Sequence, residues 1–156
     1  MCAGSDGMRL DVLNTSVLHY SVFVSVCVYF SYQDIVYGEI KRSSLYTAII
    51  LALCVKAPVA VWESFAGAVV GILLFLLAYY ISKRQLGLAD VWFSGFAGAF
   101  LGIIKWYAAV SIGCMAAFIF FICKRNKRKA LPFIPFLSIG ACITELTALL
   151  YGLNAR

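Results

Sequence analysis

Two aspartates, Asp34 and Asp90, are the residues of this chain best suited to chemistry. Asp90 closes the stretch Gly87–Leu88–Ala89–Asp90 at the mouth of an apolar helix running from Val91 to Gly102. Asp34 follows a long apolar run that ends Tyr-Phe-Ser-Tyr-Gln-Asp. Two carboxylates brought within a few ångströms resist ionising together, so they share one proton over a range of pH. The ionised one can activate water while the protonated one hydrogen-bonds a scissile carbonyl. Such a reaction needs no metal, no cofactor and no nucleophilic Ser or Cys. The sequence holds neither G-x-S-x-G nor H-E-x-x-H, and its one histidine, His19, lies toward the far end of the first apolar run. Asp90 also has a plainer reading, as a helix cap whose carboxylate accepts backbone N–H bonds. Glu39 competes with Asp34 for the first role, but in its basic loop it pairs more readily with Lys41 or Arg42. Glu145, midway along the last apolar stretch, reads as a structural group bonded to Thr144, Thr147 or a neighbouring helix.

The elements that must position these groups are membrane helices. The chain is 63% hydrophobic and 13% charged, with mean hydropathy +0.94, whereas soluble domains are roughly half apolar and a quarter charged. Its 156 residues suit one all-α helical bundle, a single membrane domain over 1–156 with its core at about 17–152. Six spans are expected: about Leu13–Tyr32, Leu45–Trp62, Phe65–Ile81, a short fourth from Val91, Trp106–Cys123 and Leu131–Leu153. The break between the fourth and fifth is placed at Lys105–Trp106–Tyr107. The fourth is barely long enough, which fits a thinned bilayer or an Asp90 set slightly into a wet cavity. Gly67 and Gly71, like Gly95, Gly98 and Gly102, are spaced for close helix packing in lipid. Lys56 is placed to snorkel, and Pro58 to kink its helix.

Nine of the 13 basic residues fall in the three loops after the first, third and fifth spans. The positive-inside rule makes those loops cytoplasmic and both termini external, and it puts Asp34 and Asp90 at one membrane face. The net charge of +6 is thus topology information, with no nucleic acid implied. The loop Lys124–Lys129 (KRNKRK) anchors that topology and attracts anionic lipid head groups. The six cysteines show no C-x-x-C spacing, so neither a zinc knuckle nor a thiol redox pair is indicated, and they read as small hydrophobes.

Three segments together resemble the type IV prepilin peptidases, membrane aspartyl proteases with a G-x-G-D signature. Asp34-Ile35-Val36-Tyr37-Gly38-Glu39-Ile40 is similar to the family's first aspartate motif. Gly87-Leu88-Ala89-Asp90-Val91, with Gly98 to Gly102, is similar to the second. Pro132-Phe133-Ile134-Pro135 is similar to the start of its proline-flanked last helix. The resemblance spans about Val17–Gly152. It implies a peptidase of the inner (plasma) membrane that removes the basic leader of type IV pilin-like precursors at the cytoplasmic face. Asp34 and Asp90 would be the catalytic pair, with Gly87, Ala89, Pro132 and Pro135 shaping loops or binding substrate. The cysteine set that accompanies methyltransferase activity in larger members is missing, which implies a minimal, peptidase-only form. Three positions depart from the pattern: Lys41 stands for a usual Pro, Ala89 for the second Gly of G-x-G-D, and Trp92 for a common Lys. Two other classes stay open. One is a non-catalytic relative serving assembly or scaffolding; the other is a transporter using Asp34, Asp90 and Glu145 as a proton relay.

Overall fold

The computed structural model describes the backbone over residues 4–37, 40, 42–83, 86–123 and 133–154. Side chains are described over 17–37, 40, 43–54, 61–83, 86–123 and 133–151. Among these residues the chain forms five helices, α1 (Gly4–Tyr37), α2 (Arg42–Ile81), α3 (Leu88–Leu101), α4 (Ile103–Cys123) and α5 (Ile134–Asn154). The expected all-α class holds. Val61–Ile81, Ile103–Cys123 and Ile134–Tyr151 are long and apolar enough to cross a membrane, and Ser43–Cys54 and Leu88–Leu101 are shorter apolar helices. Helices are what such a sequence must form in lipid, because only there are backbone N–H and C=O groups satisfied within the segment.

α2 departs from the expected pair of spans broken near Trp62–Phe65. It is helical through all 40 residues, yet it cannot be a straight rod. Tyr46 meets Trp92 edge-on with ring centroids 4.7 Å apart, and the Ser94 hydroxyl donates to the Gly71 carbonyl at 3.2 Å. On a straight helix positions 46 and 71 would stand about 37 Å apart, whereas their partners are two residues apart on α3. The arms Ser43–Cys54 and Val61–Ile81 therefore both lie against α3, and the chain changes direction between them. Pro58 falls in that stretch, and proline removes a helix hydrogen bond. Trp62 and Phe65, the facing ends of the expected second and third spans, stack on each other at 6.2 Å along the continuing helix. Ser64 between them is buried, not at an exterior turn.

The next break also moves. The long apolar stretch turns at Gly102, not at Lys105–Trp106–Tyr107. Gly102 has φ +75°, a left-handed value that costs glycine little. Its N–H still bonds to the Gly98 carbonyl at 2.9 Å, and its carbonyl accepts the Trp106 N–H at 3.0 Å. A single residue makes the corner, and Trp106 ends up buried inside the bundle.

Two close seams hold the helices. Gly67 on α2 and Gly98 on α3 face each other so tightly that a Cβ on either would run into the other's carbonyl. Between α4 and α5, Gly140 lies against Ala109 and Gly113 in the same manner. Lipid supplies no hydrophobic drive between spans, so dispersion contact over such seams carries the association. α1 lies along α5 and reaches α3 through aromatics: Phe23 stacks on Phe100 at 4.3 Å, and Phe30 meets Phe93 at 6.1 Å.

Candidate active site

Asp34 stands in the last turn of α1, two residues beyond Tyr32 and outside the apolar spans. That end of a helix is electrostatically wrong for a carboxylate. The compensation comes from α5, which begins directly opposite. Phe133 caps α5, its carbonyl accepting the N–H groups of Phe136 and Leu137 at 3.1 and 3.2 Å. Pro135, in the first turn, has no N–H to satisfy, so its ring costs the helix nothing there. The Ile134 N–H is left over from that accounting, and it donates to Asp34. Burial pushes the Asp34 carboxyl above its ordinary value, and the Ile134 bond partly opposes this by favouring the ionised form. Its Oδ2 is buried with no hydrogen-bond partner among the described residues, which leaves one acceptor on the site open.

Asp90 lies in the first turn of α3, immediately ahead of the apolar run that begins at Val91. Gly87 is the N-cap, with extended φ −70° and ψ 140°. The Gly87 N–H donates to Asp90 Oδ2 at 3.1 Å, and the Asp90 N–H returns to the Gly87 carbonyl at 3.1 Å. The capping reading of Asp90 is thus correct, and it occupies one oxygen only. Asp90 is 7% exposed. Burial first and the charge of Asp34 second push its carboxyl up to about 7, with the Gly87 N–H pulling the other way. Residues 56 apart in sequence thus meet at one end of the bundle, and a turn further in the Phe30–Phe93 contact joins their helices.

Ala89 is part of α3. Lys83, with φ 53°, is the non-glycine residue with positive φ among those described, so the alanine in place of the signature glycine carries no backbone strain. Trp92, where a lysine was expected, rests on Tyr46. Glu145 pairs with Lys105 at 3.1 Å, away from the aspartates, while the hydroxyls of Thr144 and Thr147 bond carbonyls of their own helix. Pro132, Glu39, Lys41 and the Lys124–Lys129 loop lie outside the described residues, as does the side chain of Lys56.

Several contacts around the pair were not anticipated. Ser31 donates to Ser138 at 3.0 Å across α1 and α5, and the thiols of Cys27 and Cys142 meet one turn further along the same seam. The Trp106 Nε1–H donates to Ser94 Oγ at 3.1 Å, and Ser94 passes the bond on to Gly71. The signal for these in the sequence is a small polar residue one turn from each aspartate, Ser31 before Asp34 and Ser94 after Asp90. Among the described residues no cluster of His, Cys, Asp or Glu could hold a metal ion.

The class defined here is a helical membrane protein with a buried carboxylate, Asp90, and a half-buried one, Asp34, close enough to interact at one end of the bundle. The model of the type IV leader peptidase family matches residues 21–122, a stretch that contains both aspartates and four of the five helices in whole or part. The chain belongs to that family. No curated protein and no solved structure matches it.

Proposed function

We propose that the protein is an aspartic endopeptidase that removes the basic leader of type IV pilin-like precursors at the cytoplasmic face of the inner membrane. The observation carrying this reading is the meeting of Asp34 and Asp90, with Asp90 pushed toward neutrality by burial and by its partner. Asp34, the carboxyl that ionises first, takes a proton from water. The resulting hydroxide attacks the scissile carbonyl, while protonated Asp90 hydrogen-bonds the carbonyl oxygen and stabilises the tetrahedral intermediate. Collapse then breaks the C–N bond as Asp34 passes the proton it took from water to the leaving amine, which leaves both carboxyls as they began. Gly87 contributes by fixing Asp90 Oδ2, and Pro135 by fitting the first turn of α5, whose leading Ile134 N–H bonds Asp34. The basic loop Lys124–Lys129 acts as a topology anchor in contact with anionic lipid, not as the leader's docking site, since the leader is itself basic.

Co-expression with a panel of leader-bearing pilin-like precursors tests the reading. Cleavage appears as a faster-migrating product with a new N-terminus, absent when Asp34→Asn replaces the wild type. A well-expressed, inserted protein that cleaves none of them supports the scaffolding alternative instead.

A further inference from the structure

The two aspartates are held very differently. Asp90 rides on α3, which is clamped to α2 by the Gly67–Gly98 approach and by the Trp106–Ser94–Gly71 chain of hydrogen bonds. Asp34 rides on α1, whose contacts with α3 are made by long aromatic side chains and whose seam with α5 contains no such glycine approach among the described residues. Aromatic rings permit a helix to slide or rotate; a directed hydrogen bond between two short side chains does not.

One such bond stands next to the site. Ser31 lies one turn before Asp34 on α1, and Ser138 lies one turn after Ile134 on α5. Ser31 Oγ–H donates to Ser138 Oγ at 3.0 Å, and Ser138 is 5% exposed. The two helices run antiparallel here, so fixing positions 31 and 138 also fixes 34 against 134. We propose that Ser31 and Ser138 are positioning residues for the reaction: their hydrogen bond sets the α1–α5 register that delivers the Ile134 N–H to Asp34. The inference rests on the reading of Asp34 as the base, and it adds how that base is held. The ionisable groups along the seam are Asp90, from α3, and then Cys27, Cys142, Tyr20 and Glu145, which lie further along it, away from the aspartates.

The test has a readout that needs no substrate. The carboxyl signal of labelled aspartate that disappears in Asp34→Asn is titrated by infrared spectroscopy in purified full-length protein. An N–H bond to the ionised form favours ionisation, so losing it raises the titration midpoint. Ser31→Ala and Ser138→Ala should each move the Asp34 midpoint upward by about half a pH unit or more. The double variant should move it no further, and Ser31→Thr, which keeps a hydroxyl, should restore it. In cleavage assays with a basic-leader precursor, both alanine variants should lose about tenfold in kcat with KM held, as expected for a displaced base. Ser25→Ala, whose hydroxyl bonds only its own helix at the Ser21 carbonyl, should leave both readouts alone. An unmoved Asp34 midpoint, with activity falling only as folded protein falls, overturns the inference and leaves the peptidase reading intact. Full cleavage by Asp34→Asn overturns the reading of Asp34 as the base, and an inserted wild type that cleaves no precursor overturns the peptidase reading itself.

Discussion

At the residue scale, the site works by withholding solvent from two carboxylates and giving each one backbone N–H. The balance is uneven. Asp90 is raised to about 7, from 3.8, chiefly by burial and then by Asp34, so it keeps its proton after Asp34 has ionised, and the pair carries one proton between those steps. The rate should therefore follow a bell, with an acid limb above the ordinary carboxylate range and a fall as pH rises through about 7. A stability effect of definite sign accompanies it. A carboxyl whose folded value is raised binds more protons folded than unfolded, so stability is lost as pH climbs from 3.8 toward about 7. Melting curves in detergent at pH 5 and pH 8 should show wild type less stable at the higher pH, and Asp90→Asn should remove most of that difference. An equal fall in the variant would mean that Asp90 is not the group responsible. Ala89 gives a second check. Because it sits in the right-handed region inside α3, Ala89→Gly should keep activity and lose up to about 1 kcal/mol of stability. A gain in activity would show that the loop needs glycine's freedom.

At the element scale, the small-residue spacing was legible in the sequence and meant what it usually means in lipid. Gly67, Gly71 and Gly98 do form the seam between α2 and α3. Gly102, the last member of the expected Gly95–Gly98–Gly102 stripe, instead makes the corner to α4, since nothing in spacing alone separates a packing glycine from a turning one. Both misplaced boundaries share one cause. Trp62–Glu63–Ser64 and Lys105–Trp106–Tyr107 have the composition of a membrane interface, but each is part of a continuing helix. Lys105 is drawn there by Glu145, forty positions away, a partner no local pattern reveals. The seam makes a quantitative prediction. Gly98→Ala places a methyl group against the Gly67 backbone and should cost about 1–3 kcal/mol, with the helices forced apart. The same substitution at Gly87, on the solvent-facing rim, meets only the Asp90 carboxylate at 3.1 Å and should disturb catalysis more than folding. Equal melting temperatures for wild type and Gly98→Ala would remove the seam's importance.

At the scale of the whole molecule, what matters is that the helices pack so that three separated segments, the end of α1 and the starts of α3 and α5, share one end. The meeting of Asp34 with Asp90, and the places of Gly87 and Pro135 beside them, were legible in the sequence from the motif resemblance. The groups that hold them were not, because the Ile134 N–H is backbone and the Ser31–Ser138 bond joins residues 107 apart. Such partners follow from helix register, which hydropathy does not encode. Whether the two aspartates form one catalytic unit is decided by the cleavage rate of one leader-bearing precursor by wild type, Asp34→Asn, Asp90→Asn and the double variant, each confirmed as folded and inserted. Two carboxyls acting as one unit predict that each single substitution abolishes cleavage and that the double is little worse than either, while Glu39→Gln stays close to wild type. Near-normal cleavage by either single aspartate variant, or a loss with Glu39→Gln in place of Asp34→Asn, would contradict it.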